Sequence, residues 1–425
     1  MKAVGKTLRD IISEDEKDQI IFGYEILSQP DPTILTRIPH ITHRNQAIAT
    51  IAKEGDIVLL NQPINQQYQQ WLREVGFGTD AIHEVETDGQ TPITELVTDL
   101  RFKIPSQEGT RIYVPRMVSD TDHDAASALN AVLFGGNTDL VLKYYDKGEF
   151  KTRCQELEIP VVEFRVLEAP KGIKVSALSD AIREILETSE GAIVKAMTSS
   201  AGADTYRVNK ENIAAIAETV VKEGKTRVIV EALAKVRREY SSQWAVDLKG
   251  NVNLVGICNM HADQKGSHIG NTYPTPQGVL ATLTKYSHRV GTDMSEQGYI
   301  GNFQLDLFET EHGILMSENN TRMSGSSIAW DVFHRLNHRH KKKGVFISTK
   351  FQVPPNSFDC IKESCRDIIY TGRDYNCFFP YDIGAIDITG QFMGVIIAED
   401  QEKAKSILKE IERKGIKSSI SSEYL

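Results

Sequence analysis

The densest chemistry in this chain lies in SENNTRMSG, Ser317 to Gly325, where a carboxylate, two amides and a guanidinium fall within five residues. The segment follows the apolar run Gly313-Ile314-Leu315-Met316. A few residues upstream, Asp306 interrupts the apolar stretch NFQLDLF, where a bare carboxylate is costly without a partner. Residues 309–313, ETEHG, read as a hairpin turn, so counting back from it sets Asp306 roughly opposite Glu318. Glu318 and Asn320, two apart in an extended segment, face the same side. Two carboxylates and an amide oxygen converging on one face are hard oxygen ligands, suited to Mg²⁺ held together with phosphate oxygens. Without a metal or a shared proton they would repel. An exposed polar hairpin is the alternative.

Arg322, two residues past Asn320, can aim a rigid fork of donors at a phosphate or carboxylate near the same metal. It could equally be a surface arginine preceding the helix that opens at Ser324-Gly325-Ser326-Ser327, a run whose free N–H groups themselves favour an anion. Lys195 stands in the apolar strand GAIVKAM, followed by TSSAGADTYRV, a small-residue loop able to close over phosphates. A snorkelling edge lysine explains it as well. Lys147, in YYDKGEF before a helix, reads as solvated when taken alone. Glu231 ends the strand RVIVEAL and, with the Leu233 backbone, could read an adenine edge; Glu239 could hold ribose hydroxyls. Strand-end charge is the plainer account of both. His268, Asn271 and Tyr273, in MHADQKGSHIGNTYPTP, line either an acceptor pocket or a surface loop.

These residues need elements to hold them. A length of 425 residues suggests two or three domains with a substantial core. Strands GDIVLLNQ (55–62) and RIYVP (111–115) alternate with helices QQYQQWLREVG (66–76) and DHDAASALNAVLF (122–134), which predicts an α/β layer with a parallel sheet over 1–140. Helix–strand alternation continues over 141–235, strands dominate 236–345, and 346–425 forms a C-terminal α+β extension. The net charge of −9 gives no sign of nucleic-acid binding. No apolar run reaches membrane-spanning length, and the start lacks a secretory h-region. The five cysteines, spread without a CxxC, read as reduced thiols, so the cytoplasm is the default location. The basic run HRLNHRHKKKG (334–344) reads as a solvated helix end, with an acidic or phosphorylated substrate as the sharper alternative.

Taken in order, the set resembles the ATP-grasp superfamily: a lysine before a helix, a lysine in a strand with a small-residue loop, a strand-end acid, a strand aspartate, then E-x-N. DKGEFKTRCQELEIP looks like the opening lysine of D-alanine–D-alanine ligases, and GNFQLDLFETEHGILMSENNTRMSG resembles the metal hairpin, also seen in biotin-carboxylase-like members. The C-terminal extension is similar to the pheganomycin-type peptide ligases. The resemblance implies an ATP-grasp fold of mixed α/β and α+β class, with a preceding α/β domain and two lobes enclosing ATP. It assigns Lys147 and Lys195 to ATP phosphates, Glu231 and the Leu233 backbone to adenine, and Glu239 to ribose. Asp306, Glu318 and Asn320 would hold one or two Mg²⁺, with Mn²⁺ as a substitute, and Arg322 would stabilise the reacting acyl group. The implied activity is ATP-dependent carboxylate–amine ligation on small molecules, amino-acid or peptide-like. A small-molecule kinase and a carboxylase-like enzyme are the alternatives, and a homodimer is open. One departure is Gln304, where D-alanine ligases carry an arginine two residues before the metal aspartate.

Overall fold

The computed structural model describes residues 6–26, 40–84, 92–98, 104, 108–197, 204–263 and 266–421. The first sheet is built from β1 (Gln19–Gly23), β2 (Ile57–Leu60), β3 (Ile82–Glu84), β4 (Arg111–Pro115) and β5 (Val132–Leu133), in the order β3-β2-β1-β4-β5. All its pairings are parallel, as the alternating pattern predicted. Its strands are apolar on both faces because both are covered. Ile20, Phe22, Val58 and Leu60 join one core, whereas Ile21, Ile57, Leu59 and Tyr113 join another.

The helix expected over 122–134 is shorter, Asp120–Ala128. Asn130 takes a left-handed conformation at φ +50°, a common helix stop, and the chain turns back to supply β5 beside β4.

A four-stranded antiparallel sheet follows: β6 (Phe164–Glu168), β7 (Ala192–Ala196), β8 (Thr205–Val208) and β9 (Arg227–Ala232), ordered β6-β9-β7-β8. The amphipathic helices Val175–Thr188 and Ile213–Lys222 close one face of it through Leu178, Ile182, Ile185, Ala217 and Val220.

The third sheet has nine strands among the described residues: β10 (Arg238–Val246), β11 (Val252–Ala262), β12 (His268–Tyr273), β13 (Gly301–Thr310), β14 (Gly313–Asn320), β15 (Val345–Gln352), β16 (Cys377–Tyr381), β17 (Gln391–Ala398) and the short β18 (Lys417–Ser418). Strand periodicity decides which residues face the site. Phe303, Leu305 and Leu307 turn toward the long helix Gln277–Glu296 and pack with its Leu283, Val290 and Met294. Gln304 and Asp306 therefore point to the opposite face. The boundary drawn at 345 falls inside the sheet: β15 pairs with β12 on one side and β17 on the other.

The basic segment after 334 is neither a solvated cap nor a substrate patch along its first turns. His334 Nε2 donates to the Val255 carbonyl at 2.7 Å, and Arg335 Nη1 donates to Thr50 O at 2.8 Å. Arg339 Nη2 donates to Gly76 O at 3.0 Å, and both guanidiniums lie over the Phe77 ring. The two arginines bind the first domain to the helix Gly325–His340, while His334 ties that helix to β11; Lys341, Lys342 and Lys343 are exposed. The C-terminal strands join the same seam, with Trp71 Nε1 donating to Tyr370 O at 3.1 Å and its ring 4.8 Å from that of Phe379.

Gly256 of β11 has no Cβ where one would stand 2.4 Å from the Trp330 indole, so the helix Gly325–His340 can lie close against the sheet. We expect Gly256→Ala to lose about 1–3 kcal/mol through overpacking, read as a lower urea midpoint with an unchanged m value.

Candidate active site

The hairpin forms as the spacing predicted. β13 pairs antiparallel with β14, with Asp306 opposite Glu318 and Gln304 opposite Asn320, and the register shifts just after Asp306. Gln304 Nε2 donates to Asp306 Oδ1 at 2.8 Å, and Asn320 Nδ2 donates to Asp306 Oδ2 at 3.2 Å. Gln304, the departure from the D-alanine ligase pattern, thus orients the aspartate. Burial and the neighbouring Glu318 charge push the Asp306 carboxyl well above the usual range. Burial would raise Glu318 too, but Lys147, Lys195 and Arg322 together outweigh it and hold that carboxyl low.

This donor set fits a divalent cation. Two carboxylates side by side are the arrangement that a cation stabilises, and Glu318 and Asp306 cannot both be charged cheaply without one. No cluster of three or more His, Cys, Asp or Glu gathers as a metal site among the described residues. Two carboxylates and an amide leave the remaining ligand positions to other oxygens, such as phosphates.

Lys147 opens the helix Lys147–Glu156, whose N-cap Asp146 accepts from Gly148 N and Glu149 N at 2.9 Å each. Its Nζ lies 3.6 Å from Glu318 Oε2. Lys151, one turn on and on the same helix face, was not singled out from the sequence. It is 1% exposed and 3.4 Å from Glu231 Oε1, while Lys195 Nζ is 2.8 Å from Glu231 Oε2. Burial pushes the Lys151 ammonium down, against the pull of Glu231. For Lys195 burial is outweighed by Glu231 and Glu318, and its ammonium sits high. A lysine four residues after Lys147 was the available signal, since that spacing repeats a helix face.

Glu231 therefore differs from its expected place at adenine. Its carboxylate is buried between two lysines, because two ammonium groups in one apolar lobe need a counter-charge. The Leu233 N–H is also committed, donating to Gly191 O at 2.9 Å, so it is not open to an adenine edge. The loop expected to close over phosphates lies largely outside the described residues. A cavity of about 590 Å³ opens beside Glu239, lined among others by Val236, Arg237, Arg238, Met260 and His261. Glu239 lines this cavity and, two residues along β10 from Ser241, which pairs with Asp306, shares the face of the hairpin carboxylates; burial and the Glu318 charge raise its carboxyl against the pull of Lys195.

The three residues of 268–273 separate. Asn271 is buried on β12, donating from Nδ2 to Ser326 Oγ at 2.9 Å and meeting His268 Nε2 at 3.2 Å. Tyr273 instead packs among Trp330, Phe333 and Phe346, with ring centroids 5.1–5.8 Å away. Its ring is held by this aromatic cluster, although its edge also borders the cavity. Arg322 stands over the Tyr145 ring at 5.1 Å, and its Nε and Nη1 find no hydrogen-bond partner among the described residues.

The parallel domain, the four-stranded lobe and the large antiparallel sheet together make an ATP-grasp fold. A family model for the ATP-grasp domain matches residues 152–327, a range that includes Lys195, Glu231 and the β13–β14 hairpin. Among solved structures, an ADP complex of N5-carboxyaminoimidazole ribonucleotide synthetase is 13% identical, with a TM-score of 0.60 over 93% of this chain and 96% of that one. Biotin carboxylase from Campylobacter jejuni, in a complex with a nucleotide described as β-γ-ATP, is 14% identical, with a TM-score of 0.61 over 94% and 92%. The biotin carboxylase domain dimer of Hydrogenobacter thermophilus 2-oxoglutarate carboxylase, with MgADP, ADP and bicarbonate, is 12% identical, with a TM-score of 0.60 over 94% and 90%. No curated protein matches by sequence. No helix among the described residues is long and apolar enough to cross a membrane.

The buried lysine pair fixes a pH response. Lys151 and Lys195 outweigh burial and lower the Glu231 carboxyl to about 2, against 4.5 ordinarily. A lowered carboxyl adds stability above the unfolded value, and this is lost as pH falls from 4.5 toward 2. Glu231→Gln strands two buried ammonium groups, so we expect a loss of about 3–5 kcal/mol at neutral pH in urea denaturation. The gap to wild type should narrow as the pH drops through that window.

Proposed function

We propose that this chain is an ATP-dependent carboxylate–amine ligase working through an acyl phosphate. The observation that carries this reading is the pair of buried Asp306 and half-buried Glu318 facing each other across one hairpin, with Lys147 and Lys195 both acting on Glu318. Such fixed charges act on phosphoryl oxygens, where catalysis is chiefly positioning and electrostatics.

In this reading Asp306, Glu318 and Asn320 hold Mg²⁺, which supplies charge neutralisation on the phosphate oxygens. Lys147 and Lys195 bind phosphates. Glu239 holds ribose hydroxyls at the mouth of the cavity, whose wall at Val236, Arg237 and Met260 receives the adenine in place of the committed Leu233 N–H. The γ-phosphoryl group passes to a substrate carboxylate oxygen and ADP leaves. An amine then attacks the carbonyl carbon, the carbon–oxygen bond to phosphate breaks, and the nitrogen loses a proton. Arg322 stabilises the developing oxyanion. His268 and Asn271, joined on one edge of the face that carries Asp306, lie on the acceptor side. The acid and amine are amino-acid or peptide-like, as the resemblance to pheganomycin-type ligases implies, and the reaction is cytoplasmic.

A second reading, that the activated acid is bicarbonate, is supported by the shared architecture with carboxylases and the N5-carboxyaminoimidazole ribonucleotide synthetase. The two separate in one assay. ADP release is measured across a matrix of acids and amines, with and without bicarbonate, and hydroxylamine traps acyl phosphates as hydroxamates. Hydroxamate from an organic acid supports the ligase; strict bicarbonate dependence supports the carboxylase-like reading; a stable phosphoester indicates a kinase and sinks both.

Glu318→Ala removes one fixed charge worth about 3–4 kcal/mol in the transition state, so kcat should fall roughly 10²–10³-fold. Circular dichroism should show the fold unchanged. Full ATP turnover by this variant would overturn the metal assignment.

A further inference from the structure

Arg116 immediately follows β4, at the end of the first sheet where the strand order reverses between β1 and β4. Ligands of open parallel sheets gather at the carboxyl ends of the strands at such a switch point. Arg116 is 9% exposed, yet its Nε and Nη1 are buried without a hydrogen-bond partner among the described residues. Arg322 has the same two atoms unpartnered. Neither guanidinium makes an ion pair with a described carboxylate.

The backbone holds the two together. Met323 N donates to Arg116 O at 3.0 Å, tying the residue after Arg322 to the first domain. Each guanidinium lies on an aromatic face, Arg116 at 5.6 Å from the Tyr24 ring centre and Arg322 at 5.1 Å from that of Tyr145. Tyr24 follows directly on β1, so both strands flanking the switch point contribute. Burial pushes the Arg116 guanidinium down; Tyr24 opposes this and the Arg322 charge adds to it. Arg322 has Glu318 within electrostatic reach, but Arg116 has only another arginine beside it and no carboxylate to answer it, which is unfavourable as pure scaffold. An oxyanion between them would accept the orphaned N–H groups and cancel the repulsion.

We propose that Arg116 is a substrate-binding residue, which with Arg322 clamps an oxyanionic group of the substrate across the seam between the first domain and the metal hairpin. The inference rests on the ligase reading for what that group is: the carboxylate to be activated, or the phosphoryl group it acquires. Arg322 sits at the metal side and Arg116 at the far side, so the clamp selects substrates that present this group toward the first domain.

The test uses the full chain and two probe anions, malonate and inorganic phosphate, titrated calorimetrically into wild type, Arg116→Met, Arg116→Lys and Arg322→Met. MgADP is titrated separately. We expect a probe to bind wild type, to bind Arg116→Met and Arg322→Met at least tenfold more weakly, and to bind Arg116→Lys with intermediate affinity. Arg116→Met should keep its MgADP affinity within twofold and melt no lower than wild type, because it removes an unanswered buried charge. A scaffold role would instead lower its melting temperature and leave probe binding intact, which overturns the proposal. So does the failure of both probes to bind wild type. Tighter malonate assigns the clamp to the carboxylate, and tighter phosphate to the phosphoryl group. Probe binding without MgADP binding would refute the ATP reading and leave the clamp standing.

Discussion

Two carboxylates placed side by side, one buried and one half-buried, must be met by positive charge, and the placement of that charge organises this molecule. Asp306 and Glu318 face each other across a hairpin whose register leaves no other outcome. Lys147 reaches them from the start of a helix, Lys195 from the central strand of the small lobe, and Arg322 from the end of the hairpin itself. Each lies on a different element. The lobes must therefore be held at fixed distances for the charges to balance, and the packing around the site serves that end.

The small lobe adds a second balance behind the first. Glu231 is shared by Lys151 and Lys195, so Lys195 acts on Glu231 and Glu318 at once. This couples the four-stranded sheet to the β13–β14 hairpin through one ammonium group. Arginines carry out the matching work at the other seam, where Arg335 and Arg339 bind carbonyls of the first domain. In both places a basic side chain is used where two elements must meet, because its reach and its several donors tolerate imperfect surfaces.

Much of this was legible in the sequence. The hairpin could be counted because strand periodicity is two and the turn ETEHG is short, so Asp306 and Glu318 were bound to meet. The parallel sheet followed from strand–helix alternation. Glu231 misled because a strand-end acid has no partner in its own segment; Lys151 and Lys195 come from a helix 80 residues upstream and a neighbouring strand. The aromatic packing of Tyr273 was equally out of reach of its own segment, since Trp330, Phe333 and Phe346 are distant in the chain but surround it in space.

The sequence by itself determined the local groups: the paired acids on one hairpin, the lysine at a helix start, the lysine within an apolar strand. Local spacing is enough for these, since strand and helix periods are set by backbone sterics. The tertiary structure alone decided which charges answer which. It buried Glu231 between two lysines, turned the basic helix toward the first domain, and brought Arg116 beside Arg322 from 206 positions away in the chain. Burial and long-range proximity fix the electrostatics of a site, and neither is encoded in the spacing of residues along one segment.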